Sequence, residues 1–355
     1  MFTIALGIFL FLSPIVVLLG NNARLNGLFA ALQYYQFNFF GAVNSAIQLQ
    51  FFQYGAVALF ITALLTKPVR EFKDKYAGLF LAICFVNVFL HPSGLRNFGY
   101  ILLGVLIYYA VVTRVKNIKS LLWVIFAVSL SNTIFALLQF FGIHLIYSDI
   151  GRIDGLMCIS NHLGIYQALA LPLCYSLNPY LAIIPLIGLL LSNCVTATIA
   201  AVIGMSYFLW HKRYKMGSVT FMCFLSGIAF FVARNFKVII YKMQLRFWVW
   251  GQSLEHIIQK PLAGHGIGGF KMTKIIYGQF DNPYNLYIET AYFIGIVGLI
   301  VLLLFVKDKI SSTAIGASCL ILLICGLAQS FMDFPRLAGT AIVLFGLSKC
   351  REEIE

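Results

Sequence analysis

Residues 98–143 read "FGYILLGVLIYYAVVTRVKNIKSLLWVIFAVSLSNTIFALLQFFGI", two apolar blocks of helix length joined by a short basic link. This alternation recurs along the chain and restricts its fold more than any motif does. A bilayer core of about 30 Å is crossed by about 20 apolar residues in a helix. Within lipid the backbone must satisfy its own hydrogen bonds, which leaves helices and closed barrels. The blocks are too long and continuous for the ~10-residue alternating strands of a barrel. With 61% hydrophobic and 10% charged residues, the composition also departs from that of soluble domains, which are roughly a quarter charged. The sequence therefore reads as an all-α polytopic membrane protein. Its first block, "MFTIALGIFLFLSPIVVLLG", has no basic residue ahead of it and no small-residue cleavage site, so it is expected to stay as the first span.

Twelve spans are expected, at 2–20, 47–66, 76–91, 98–113, 120–143, 162–177, 180–192, 195–210, 217–233, 286–306, 313–332 and 336–349. Cytoplasmic links carry an excess of Lys and Arg. "KPVREFKDKY", "RVKNIK", "HKRYK", "KDK" and the tail "KCREE" follow spans two, four, eight, ten and twelve. All five then fall on one side, which puts both termini in the cytoplasm. Three regions result: spans one to nine in 1–233, an extracytoplasmic loop in 234–285, and spans ten to twelve with the tail in 286–355.

The net charge of +13 divides accordingly. Fourteen of the 25 Lys and Arg lie in the cytoplasmic links. The rest face outward, crowded in the long loop (Arg234, Lys237, Lys242, Arg246, Lys260, Lys271, Lys274) or set in other outer links (Arg24, Arg96, Arg152, Arg336). Orientation does not require these. An outward basic surface beside a membrane suits an anionic headgroup, either specifically or as general attraction to lipid. Nothing in the chain addresses a nucleic acid. The eight Cys show no metal-ligand spacing and read as small buried hydrophobes. No metal and no cofactor are expected.

In the long loop, "QLRFWVWGQSLEHIIQK" (244–260) reads as an amphipathic helix. Phe247, Trp250, Gly251, Leu254, Ile257 and Ile258 form its apolar face; Arg246, Ser253, His256 and Lys260 form the other. Such a helix lies in the headgroup layer or covers a cavity. The following "GHGIGGF" matches a dinucleotide fingerprint by letter, through Gly264, Gly266 and Gly269. It lacks the strand and helix that motif needs, so it reads as a tight turn that packs closely or approaches a substrate. His265 within it is a weak candidate ligand or base. In "FDNPYNLYIETAYFIGIVGLI" (280–300), Asp281, Asn285 and Glu289 are spaced i, i+4, i+8 and share a helical face. They act either as partners of the helix dipole or, with Glu289 inside the apolar run, as the lining of a polar cavity.

These residues resemble the membrane family of O-antigen ligases and O-antigen polymerases. Tyr284-Asn285, nine residues, then Gly295-Ile-Val-Gly298 is similar to the ligases' His-Asn, nine residues, Gly-x-x-Gly. "RFWVWGQSLEHIIQKPLAGHGIGGF" and "GRIDGLMCISNHLGIYQALALPL" look like the family's other two patterns, so the resemblance covers about 150–348. Two departures stand out. The ligase His is Tyr284 here, and Ser192-Asn193 stands where the family often has Ser-Arg.

The resemblance implies transfer of a glycan from undecaprenyl diphosphate to an acceptor hydroxyl, on another glycan or on lipid A-core, at the outer face of a bacterial inner membrane. It assigns the diphosphate to Arg152 and Arg246. Glu289 or Asp281 becomes the base, and Asn285 with Tyr284 contacts substrate. The absent His tilts the reading toward polymerase. A transporter of an envelope precursor is the main alternative. Against it, no buried acid–base pair marks a proton path, although Asn87, Asn132, Gln139 and Gln167 are polar within spans. A non-catalytic partner in envelope assembly is the third reading.

Overall fold

The computed structural model describes residues 1–21, 53–143, 152–157, 159–212, 236–268, 270, 283–330 and 335–350. All regular structure in them is helical. The helices are α1 (Phe2–Asn21), α2 (Gln53–Leu64), α3 (Lys75–Leu90), α4 (Leu95–Arg114), α5 (Ile118–Phe140) and α6 (Ser160–Leu177). They continue with α7 (Ile183–Ser192), α8 (Val195–His211), α9 (Phe236–Gln259), α10 (Leu286–Lys307), α11 (Ala314–Gly326) and α12 (Pro335–Leu347). Eleven of them fall on expected spans, and α9 is the amphipathic helix. The expected span at 217–233 lies outside the described residues.

Among the described residues, three helical stretches are long and apolar enough, by length and composition, to cross a membrane: Pro92–Arg114, Ile118–Phe140 and Leu286–Lys307. Others are shorter, with α7 and α11 among them. A helix of 13 residues spans only about 20 Å, so the count of twelve crossings is not established by the helices alone.

The centre of the bundle is α6, which packs against α5, α7, α8 and α11 and is buried from His162 to Cys174. In lipid, packing and internal polar bonds replace the hydrophobic effect as the force between helices, which favours small residues at contacts. Gly188 on α7 meets that need, since a Cβ there would lie 2.6 Å from Gln167 Nε2. The buried Gln167 is fully used within the bundle. Its Nε2 donates to Ser129 O and Thr133 Oγ1 (both 3.1 Å), and its Oε1 accepts from Ser129 Oγ at 2.5 Å. Gln139 likewise donates to Asp154 Oδ1 (2.7 Å) and accepts from the Asp154 and Gly155 amides. These intramembrane amides are cross-links.

The glycine-rich loop is also structural. Helix α10 breaks at Gly295, whose φ of 75° and ψ of 178° are non-helical. Residues 261–268 dock into that break. Ile296 N donates to Pro261 O (2.8 Å), Gly266 N to Phe293 O (3.1 Å) and His265 N to Tyr292 O (2.8 Å). A Cβ on Gly295 would lie 2.1 Å from Leu262 O, so no larger residue fits. Asn87 of α3 closes the clasp: its Nδ2 donates to Ala263 O (2.7 Å) and Phe293 O (3.1 Å), and its Oδ1 accepts from Ile267 N. The loop packs closely, as one of the two expectations held.

Four of the five basic links meet at one end of the bundle, while most of the HKRYK link lies outside the described residues. Val69 N donates to Thr113 O and Arg70 Nη1 to Val115 O. Lys116 N reaches Thr3 Oγ1, and Lys349 pairs with Asp308. Same-side grouping of these links and of residue 3 is thus a feature of the fold. One of them departs from the expected solvated anchor. Lys309 is fully buried and bonds to Asp74, which also receives the Tyr108 hydroxyl. Contrary to the sequence reading, the chain does contain a buried acid–base pair. It was missed because Asp74 and Lys309 stand 235 residues apart in basic, apparently exposed links.

Candidate functional site

The other end of the bundle carries a ring of polar residues, joined partly by hydrogen bonds and partly through neighbouring backbone. Arg152, after α5, sends Nη2 to Asn161 Oδ1 and Asn193 O, each at 3.4 Å. Its segment is anchored two residues on, where the fully buried Asp154 meets Gln139. Next to Asn161, His162 Nε2 lies 3.5 Å from Gln329 Nε2 beyond the end of α11. Leu327 O in that same turn accepts from Asn285 Nδ2 at 2.9 Å. Asn285 follows Tyr284, which lies in the electrostatic reach of Arg246 on α9. Arg246 and Arg152 both lie within electrostatic range of Cys194 at the α7–α8 turn, next to Asn193.

Two arginines separated by 94 positions in sequence thus both lie within electrostatic range of one thiol. Burial pushes the Cys194 thiol up, and the Ala197 amide and both guanidiniums oppose it without prevailing. The thiol stays neutral. Burial likewise draws Arg246 below its ordinary pKa, against Cys194 and Tyr284. A partly desolvated guanidinium gains most from an anion that replaces its lost water.

Backbone strain collects in the same ring. Among the described residues, the non-glycine positions with left-handed backbone are Asn193 (φ 50°) and Tyr284 (φ 51°). Such conformations cost about 1–3 kcal/mol and persist where surrounding structure enforces them, often at functional sites.

All but one of the predicted site residues fall among the described residues. Asn285 is the N-cap of α10, its Oδ1 accepting from Tyr287 N (3.0 Å) and Ile288 N (3.1 Å). It therefore acts on the site through the backbone it holds. Glu289 is buried in the first turn of α10, its amide bonded to Asn285 O (2.9 Å). It sits at the depth that the expected start at residue 286 gives it, near the positive end of the dipole. Asp281 lies outside the described residues. His265 sits apart from the ring, its Nε2 bonded to His256 O (2.7 Å) and its ring stacked 4.7 Å from Tyr292.

Helix α9 starts at Phe236 and is oriented opposite to a simple surface helix. Val249, Ser253 and Ile257 are buried against α10 and the clasp, while Phe247, Leu254 and Ile258 are exposed. The predicted polar face partly turns inward, carrying Arg246 to the ring. Trp250 Nε1 fixes the helix by donating to Pro283 O at 2.8 Å.

Sequence reasoning missed His162, Gln329 and Ser330, all buried. Gln329 and Ser330 read as the interior of a span at 313–332, but α11 ends at Gly326, where Asn285 takes the Leu327 carbonyl. Among the described residues no group of three or more His, Cys, Asp or Glu is placed to hold a metal. The chain matches none of the protein-family models and none of the curated proteins compared with it.

Proposed function

We propose that this protein transfers a glycan from undecaprenyl diphosphate to an acceptor hydroxyl at the outer face of a bacterial inner membrane, as an O-antigen polymerase or ligase, with polymerase favoured. Arg152, held to Asn161 and to Asn193 beside Cys194, with Arg246 in electrostatic range of the same thiol, carries the reading. Guanidinium forks bind diphosphate oxygens and stabilise the charge that grows on the leaving group. In the reaction the acceptor oxygen attacks the anomeric carbon of the donor glycan. The bond from that carbon to the diphosphate oxygen breaks, and the diphosphate leaves with the electron pair. The hydroxyl proton passes to a carboxylate, for which Glu289 is the candidate. Asn285 and Tyr284 set the backbone that presents Glu289 and faces Arg246.

A second reading, transport of an envelope precursor, draws on the buried Asp74–Lys309 pair and on a cavity of about 540 Å³ beside it at the basic-link end. Purified protein in vesicles with lipid-linked glycan separates the two. Transfer liberates undecaprenyl diphosphate and yields a glycan joined to a new acceptor. A carrier moves the lipid-linked glycan intact and liberates none.

A further inference from the structure

The ring holds a part that the diphosphate chemistry does not use. Where Arg152 and Arg246 supply positive charge, the arc formed by His162, Gln329 and Ser330 is neutral in its hydroxyl and amide members and buried throughout. Gln329 touches His162 at 3.5 Å. Ser330 Oγ is fully enclosed and has no hydrogen-bond partner. A buried hydroxyl without a partner is uncommon and points to a group that arrives later. Serine hydroxyls and glutamine amides both donate and accept, which matches a sugar hydroxyl, itself donor and acceptor. A phosphate oxygen at neutral pH only accepts, and the arginines already answer it.

The geometry points to His162, Gln329 and Ser330 as a subsite for the hydroxyls of the glycan, set beside the diphosphate site and distinct from it in chemistry. The assignment rests on the glycan-transfer reading for the identity of its ligand. His162 follows Asn161, which holds Arg152, and Gln329 and Ser330 follow the turn at Leu327, which Asn285 holds. A sugar bound there therefore sits between the donor arginines and the start of α10.

Two probes separate the two parts of the ring: the glycan freed from its diphosphate by mild acid, and undecaprenyl diphosphate without a glycan. Each is titrated in detergent against wild type, Ser330→Ala, Gln329→Met and Arg152→Lys, all confirmed to unfold at the wild-type temperature. Ser330→Ala, the smaller change, serves alone if Gln329→Met does not fold. Free glycan is expected to bind wild type and to lose about two- to ten-fold in affinity in either arc variant, the range for one hydrogen bond. Undecaprenyl diphosphate binding is expected to hold in the arc variants and weaken in Arg152→Lys. Absence of free-glycan binding to wild type, or equal binding by both arc variants, overturns the subsite. Arc-dependent glycan binding with no undecaprenyl diphosphate binding keeps the subsite and removes the transfer reading.

Discussion

Asn285 joins two helix ends with one side chain: its Oδ1 caps α10 and its Nδ2, 2.9 Å from Leu327 O, ties off α11. The two functions separate by substitution. Asn285→Asp keeps a strong cap acceptor but loses the donor, whereas Asn285→Ala loses both. A cap alone is worth about 0.5–2 kcal/mol. Thermal unfolding in detergent is expected to rank wild type above Asp and Asp above Ala. Equal loss in both variants would mean that the bond to Leu327, rather than the cap, holds this corner.

Asn87 clamps the glycine-rich loop into the break of α10 through three hydrogen bonds to backbone. Asn87→Leu leaves the Ala263 carbonyl and the Ile267 amide without these bonds at a buried position, at about 1–3 kcal/mol for each group stranded, while Phe293 O keeps its bond from Gly266 N. Hydrogen exchange should rise at Ile267 and the neighbouring clasp amides ahead of the α6 core. Unchanged protection there would show that the loop holds itself in place.

Asp74 sets the acid limit of the basic-link end. Burial raises its pKa, but hydrogen bonds from Lys309 and Tyr108 and the charge of Lys309 outweigh it, leaving the carboxyl below 3.8. A depressed carboxylate contributes stability that is fully present above the unfolded value and is lost as pH falls through the folded one. Stability should therefore fall below about pH 4, and Asp74→Asn should flatten that limb. At neutral pH the same variant strands most of the charge of Lys309, an effect of about 3–5 kcal/mol. Adding Lys309→Met should recover much of it. A double variant no better than Asp74→Asn alone would contradict the pairing.

The helices were legible because apolar block length and basic punctuation are local signals, and α10 began within a residue of its expected start. The ring was only partly legible. Arg152, Arg246 and Tyr284 could be singled out by charge and motif, but their convergence depends on how α9 is turned. Its polar face looks inward because Trp250 is held by Pro283 O and Ser253 is buried, contacts that helical periodicity does not encode. Gln329 and Ser330 were hidden by the early end of α11, which is set by a side chain 42 positions away. The Asp74–Lys309 pair was hidden for the same reason, being a long-range contact between links that look solvated.

Glu289 tests the proton step. Glu289→Gln keeps the size of the side chain and its place in the first turn of α10, and its loss as a dipole partner costs under about 1 kcal/mol. If the carboxylate takes the acceptor proton, turnover should fall by about 100-fold, the lower range for such groups, with undecaprenyl diphosphate binding retained. Wild-type turnover in a normally folded variant would confine Glu289 to a structural role.

The two arginines carry the central claim, and one assay addresses them directly: release of undecaprenyl diphosphate from lipid-linked glycan by purified wild type, Arg152→Lys and Arg246→Lys. Lysine keeps the charge and loses the planar fork. Wild type is expected to release the carrier, and each variant to release it more slowly by on the order of ten-fold or more, a loss of about 1.4 kcal/mol in transition-state binding. No release by wild type, or near-wild-type release by both lysine variants, would contradict the account.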